Sequence, residues 1–450
     1  MTHTPSGRRI AAGLRRALLA LAGVAMLISA PSAAFADDMR DVIVREFEAF
    51  DPKYRERRQH YAERLEALAA RISSEQAAGN TLQCSQQMHL EAKWLLGYTA
   101  RWDALEDKLE RIERSLQDKS QDFATEQSPV DGFWGLCYDQ WFMRVGESAT
   151  AAGILASRGE TPRYRLRPRL TTGRELINYL QSLLLSDIEN TGIDHRAELS
   201  SVITSYSTAA YKQYLQQILI DYVALDEDIN WEAVREAIWF FIHGSQDIKT
   251  GYWGAWYVID GKILKTTDLS MTFHVVRYSK GEVEYWPQII RTTLAIKDVP
   301  YPFGWRSAGK FNNHNLYDVA SIFKFGWPHM SEAERATVRD EIREMLRWSL
   351  DNTLNPDGSY RHDPAYADTY ADEYYFGVSL LDVLGYWNPA ERFWTDDPLE
   401  PALAGRANCC LIKQRVNAYG FEGWAGAGAL EKLESSCSAC PAPGHSTTQN

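Results

Sequence analysis

Residues 308–323 read AGKFNNHNLYDVASIF. Asn312, Asn313, His314, Asn315, Tyr317 and Asp318 fall within seven positions, and an apolar run follows without a break. A polar, aromatic loop thus leads straight into a helix. The same arrangement recurs on both sides, as GYWGAWYVIDG at 251–261 and DGSYRHDPAYADTYADEYYF at 357–376. Trp253, Trp305 and Gly358 mark three such loops at roughly 50-residue intervals, within the range of repeat architectures, and GFEGWAGAG at 420–428 is a more distant fourth. Stacked helical hairpins joined by loops of this kind predict an all-α fold. Closed on itself, the stack becomes an (α/α) toroid, or incomplete barrel of hairpins, whose loops line a central cleft. An open helical array without a cleft is the alternative, and the polar chemistry of the loops points to the toroid.

Outward from this stretch the pattern stays helical. Apolar residues recur at i, i+3, i+4 and i+7 over 55–72 and over 93–116. Further helices are predicted at 173–188, 209–225, 231–244, 283–297 with Pro287 in its first turn, and 332–354. Residues 131–146 are aromatic and ambiguous. In TPRYRLRPRL at 161–170, Pro162 and Pro168 oppose helix, and Arg163, Arg165, Arg167 and Arg169 alternate onto one face of an extended segment. That segment is read as a solvated linker or as an anion-binding strip. The expected division is a leader over 1–36, an N-terminal helical region over 37–130, the toroid over 131–436 and a disordered tail over 437–450.

The leader is read from Arg8, Arg9, Arg15 and Arg16, the apolar run 17–30 and the small-residue cleavage pattern Ala34-Phe35-Ala36. The apolar run is short for a span of about 20 residues, so a cleaved secretory signal peptide is expected rather than an anchor. The mature protein is then periplasmic or secreted, with no membrane insertion after cleavage. Formal charge is −12, and losing the leader's four arginines leaves 44 basic against 60 acidic residues, or −16. Nucleic acid is an unsuitable partner for so acidic a chain. The 15 Trp and 23 Tyr suit stacking on sugar rings, and equally suit an aromatic core. Six cysteines permit disulfides in an exported chain, with pairing open. The CxxC at 437–440 has no second CxxC or histidine pair beside it, so a structural bridge is expected rather than a zinc or redox site.

The motif Asn312-Asn313-His314, with Tyr317 behind it, resembles the Asn-Asn-His motif of the alginate-lyase-like (α/α)-toroid polysaccharide lyases. Asp357-Gly358-Ser359 is similar to a segment of the heparinase-like group, and Tyr374 and Tyr375 follow about 16 residues later. The resemblance covers about a third of the chain and nothing before residue 251. It implies β-elimination at a uronate of a polysaccharide or oligosaccharide, with Asn313 neutralising the carboxylate, His314 as base or assisting donor, and Tyr374 or Tyr375 as acid/base. It also implies substrate contacts from the cleft loops, for which Trp253, Trp256, Trp305, Asn312, Asp318, Asp268, His274 and Arg361 are the candidates. The family pattern often places an Arg shortly before the Tyr. Here that position is acidic (AYADTYADE), and Arg361 is the nearest substitute.

Other readings stay open. Asp268, Asp318, Asp368, Asp372 and the adjoining Glu373 could instead serve a glycoside hydrolase, which needs one protonated and one ionised carboxylate. Asn312–Asn315 could be a polar helix cap, Asp368 and Asp372 an acidic helix start, and His274 a satisfied core histidine. A non-catalytic glycan binder would use the same aromatic cleft. GYWGAWY also resembles repeats of terpene-cyclase-type toroids, but no DxDD or DDxxD cluster accompanies it. His314 and Asp318 stand at i,i+4, and the spacing suggests no third metal ligand, so neither metal nor cofactor is expected.

Overall fold

Local chemistry sets several helix ends. Ser331 Oγ accepts from the Glu334 N–H while the Glu334 carboxylate accepts from the Ser331 N–H, and this capping box starts a 21-residue helix. Pro287 lies in the first turn of its helix, where a missing N–H costs nothing. The computed structural model describes residues 39–121, 127–157, 159–164, 170, 172–211, 231–307, 309–362, 369–421, 424–437 and 440. Over these the chain is mostly helical with little strand. The predicted leader, the arginines 165, 167 and 169, nearly all of the helix expected at 209–225, Asp368 and the tail from 441 lie outside the described residues.

In chain order the helices are α1 (Met39–Phe50), α2 (Tyr54–Ala77), α3 (Gln83–Tyr98), α4 (Trp102–Gln117), α5 (Trp141–Ser157), α6 (Gly173–Leu184), α7 (Ile188–Thr191) and α8 (Arg196–Tyr211). Then come α9 (Trp231–Ser245), α10 (Leu269–Tyr278), α11 (Trp286–Ala295), α12 (Asn313–Gly326), α13 (Glu332–Asn352), α14 (Tyr370–Val383), α15 (Cys409–Tyr419) and α16 (Trp424–Ser436). The helix expected over 93–116 is two. Thr99 turns extended and bridges Ile193, and its hydroxyl and the Ala100 N–H both donate to Gly192 O. The helix expected over 173–188 stops at Leu184 because β1 (Leu185–Ser186) pairs in parallel with β2 (Trp256–Ile259). β2 turns back on β3 (Lys262–Lys265) through Asp260-Gly261, both at positive φ, as a two-residue hairpin requires. Part of the 251–261 loop is therefore strand.

α8, α10, α12, α14 and α16 form a row in which each helix packs on the next. Flanking them, α9 packs on α6 and α8, α11 and α13 pack on α12, and α15 packs on α16. α12 is the most enclosed: every residue from Asn315 to Phe323 is buried. A helix covered all round belongs inside a helical assembly. The apolar core is one connected cluster running from Met39 to Cys437. At its N-terminal end Lys108 is buried against Glu91, whose carboxylate also accepts the N–H groups of Asp139 and Gln140. Disulfides join Cys84 to Cys137, Cys409 to Cys437 and Cys410 to Cys440, so the two CxxC cysteines staple α15 to the end of α16.

Gly377 lets the buried Tyr360 ring lie directly on α14, where any Cβ would overlap the ring. Gly377→Ala is expected to destabilise the fold by about 1–3 kcal/mol, the usual cost of overpacking. Chemical denaturation checks this. An unchanged midpoint would show that the Tyr360–α14 contact is loose.

Candidate functional site

Asp268 shows how the site is built. Its carboxylate is fully buried, caps α10 by accepting the Met271 N–H, and accepts from Nε and Nη2 of Arg196 at 2.6 and 3.1 Å. Arg196 begins α8, so one ion pair fixes the start of α10 against α8. The next residues outward on α10 are His274, Arg277 and Tyr278. Spacings of three and four place them on one helical face.

That face meets α12 and α14. His274 Nδ1 contacts Ser270 O at 2.7 Å, and its ring lies 5.8 Å from Tyr278. Burial pushes its imidazole down to about 4 despite the hydrogen bond, and the charge of Arg277 adds to the push. His314, in the first turn of α12, stacks on Phe376 of α14 at 4.0 Å between centroids and leans on Tyr301 at 5.4 Å. Its side chain stays 32% exposed, which leaves the ring reachable from solvent. Burial of the rest, with His274 beside it, still holds it well below the ordinary histidine range. Its Nε2 is 4.0 Å from Asp318 Oδ2, too far for a hydrogen bond.

Asp318 is buried, accepts only a 3.3 Å hydrogen bond from the Tyr301 hydroxyl, and has no partner for Oδ1 among the described residues. Burial therefore raises it well above the usual carboxylate range. Burial, and then the negative charge of Asp318, push the Tyr301 phenol well above its ordinary value. Arg277 stacks over Tyr317 at 5.5 Å, hydrogen-bonds Tyr375 and stays cationic in spite of its burial. The result is a half-exposed neutral imidazole, a second neutral imidazole, a guanidinium and several phenols on adjoining faces of three helices.

Some expected site residues join this cluster and others do not. His314, His274, Asp318 and Tyr375 do. Asn313 is used elsewhere: its amide donates to Thr353 Oγ1 and its carbonyl accepts from Ser349, tying α12 to α13. The carboxylate-neutralising role expected of it is corrected on that ground. Asn312 is the N-cap of α12, accepting from the Asn315 N–H at 2.8 Å. Tyr374 points about a quarter-turn away from Tyr375 and is fully buried among Tyr360, Tyr370, Tyr419 and Phe421. Trp253 and Trp305 are core residues whose indole N–H groups donate to Ile242 O and Thr293 O. Asp268 is spent on Arg196. Arg361 braces its own turn through Asn355 and Asn352 O, and Trp256 lies under Lys265 Nζ at 4.2 Å.

Arg277, Tyr301 and Phe376 were missed. Arg277 was findable, since it follows His274 by three residues in a helical stretch. Tyr301 comes from a loop, where spacing carries no directional signal. Among the described residues no cluster of three or more His, Cys, Asp or Glu could hold a metal ion, and no helix is long and apolar enough to cross a membrane.

No family model, curated protein or solved structure matches this chain.

Removing one partner of a buried ion pair leaves the other uncompensated, at about 3–5 kcal/mol. Asp268→Ala is expected to lose that much stability, measured by denaturant unfolding. A loss under about 1 kcal/mol, the worth of an exposed pair, would show that Arg196 finds water instead.

Proposed function

We propose that this protein is an exported glycan-degrading enzyme that cleaves a uronate-containing polysaccharide by β-elimination. In this reading the row of helices closes as an (α/α) toroid with the α10–α12–α14 face in its cleft. The observation that carries it is His314, an imidazole held neutral by its surroundings yet still reachable from solvent. A neutral imidazole can take the proton alpha to a uronate carboxylate. Arg277 is the cation placed to hold that carboxylate as charge builds on it, a role that replaces the one first expected of Asn313. A phenol, that of Tyr301 or of Tyr375, returns a proton to the leaving oxygen. Phe376 fixes the plane of the His314 ring by stacking.

Asp318 favours a second reading. A buried carboxyl whose pKa is raised by that burial is what the acid of a glycoside hydrolase requires. The ionised partner is harder to find: Asp268 is locked to Arg196, and Asp372 accepts from Thr369 at the start of α14. β-Elimination is therefore preferred.

A panel of neutral and uronate-containing glycans separates these readings. Rising ultraviolet absorbance from a 4,5-unsaturated uronate is the expected result. New reducing ends without that absorbance would sink elimination, and binding without any cleavage would make the protein a glycan binder. His314→Gln should lower kcat/KM by about 100-fold or more while circular dichroism stays unchanged. Because the folded-state imidazole titrates below its ordinary value, His314 stays unprotonated as pH falls through about 6.5, at the cost of being a weaker base. The acid limb of the kcat/KM profile is expected well below that point. An inflection near 6.5 would remove His314 as the base.

A further inference from the structure

We propose that a second, separate cleft beyond the C-terminal end of α12 binds one acidic sugar unit, with Arg339 as the anchor of its carboxylate. The cleft has a volume of 570 Å³ and lies between α13 and residues 393–397. Its apolar surface is Trp327 and Phe393, packed edge to face at 5.6 Å. Arg335, Arg339 and Arg343 stand one turn apart on the facing side of α13, the first two over the Trp327 ring at 5.5 Å. α12 is 14 residues long, so the cleft lies about 20 Å from His314, at the other end of the helix.

The three arginines are not equivalent. Arg335 pairs with Glu332 at 2.9 Å and Arg343 with Asp340 at 2.9 Å. Arg339 donates its Nε to Trp394 O, which fixes the guanidinium plane, and its nearest carboxylate is Glu332 at 3.9 Å. Among the described residues neither Nη of Arg339 makes a hydrogen bond. A planar fork with two unused donors, held in place from behind, matches a carboxylate bidentately. Asp340, Asp396 and Asp397 also line the cleft. They repel a multiply charged ligand such as a polyphosphate and can accept from hydroxyls. One negative charge, several hydroxyls and an apolar ring face together describe a sugar acid. The cleft's own residues carry this proposal, which does not depend on the chemistry at His314.

The test titrates the full chain with sodium D-glucuronate, D-glucose and sodium sulfate, followed by tryptophan fluorescence and calorimetry. Glucuronate is expected to bind saturably and more tightly than either control. Arg339→Gln should weaken it by about tenfold or more, and Arg339→Lys should restore it only in part. Sulfate binding as tight as glucuronate would reduce the cleft to a general anion site and overturn the proposal. Full binding by Arg339→Gln would also overturn it, and its loss in His314→Gln alone would place the ligand at the α10–α12–α14 face instead.

Discussion

The Arg196–Asp268 ion pair is the constraint on which the rest of the site depends. Neither group is tolerable alone in that position, because an isolated buried charge costs several kcal/mol. Together they fix where α8 starts relative to α10. Neighbouring groups extend the joint, since Asp194 accepts from the Arg196 N–H and from the hydroxyl of Tyr257 on β2. The small sheet, two helices of the row and the cap of α10 thus meet at one polar knot. His274 and Arg277 take their positions from a helix whose first turn cannot slide.

Polar residues near the site divide sharply by what they are bonded to. Asn312, Asn313 and Asn315 are all spent on structure: one caps α12, one ties it to α13, and one donates to Trp305 O and Ser307. His314 sits among them with stacking partners and, among the described residues, no hydrogen bond from its ring. Three rigid amides around a less committed imidazole make a precise mount, which is what acid–base chemistry requires of its support.

Helices were largely legible because their signals are local. α2, α9 and α13 show their apolar stripe, and the box at Ser331 and the proline at 287 mark starts that need no tertiary contact. What could not be read depends on distant residues. Thr99 breaks a good helical pattern because Gly192 and Ile193 offer its backbone other partners. Leu185-Ser186 becomes strand only because Trp256-Tyr257 lies beside it. Of the residues expected at one site, His314, His274, Asp318 and Tyr375 lie together, while Trp253, Trp256 and Trp305 lie elsewhere. Their individual roles were not legible. Whether an Asn faces a cleft or a neighbouring helix, and which of two adjacent tyrosines turns inward, depends on how α12 and α14 are rotated in their packing.

The paired bridges at the C-terminal end bear on the site as well. Cys409 and Cys410 are neighbours, as nearly are Cys437 and Cys440, so the four sulfurs could in principle exchange partners. Gly428 of α16 meets the ring of Tyr375, so the helix joined by these bridges is also the wall behind that phenol. Both bridges join the start of α15 to the chain just past α16, so the seat of that wall is fixed covalently as well as by packing. The surroundings of Tyr375 are therefore held partly by sulfur bonds at a point in the chain outside the His314 cluster.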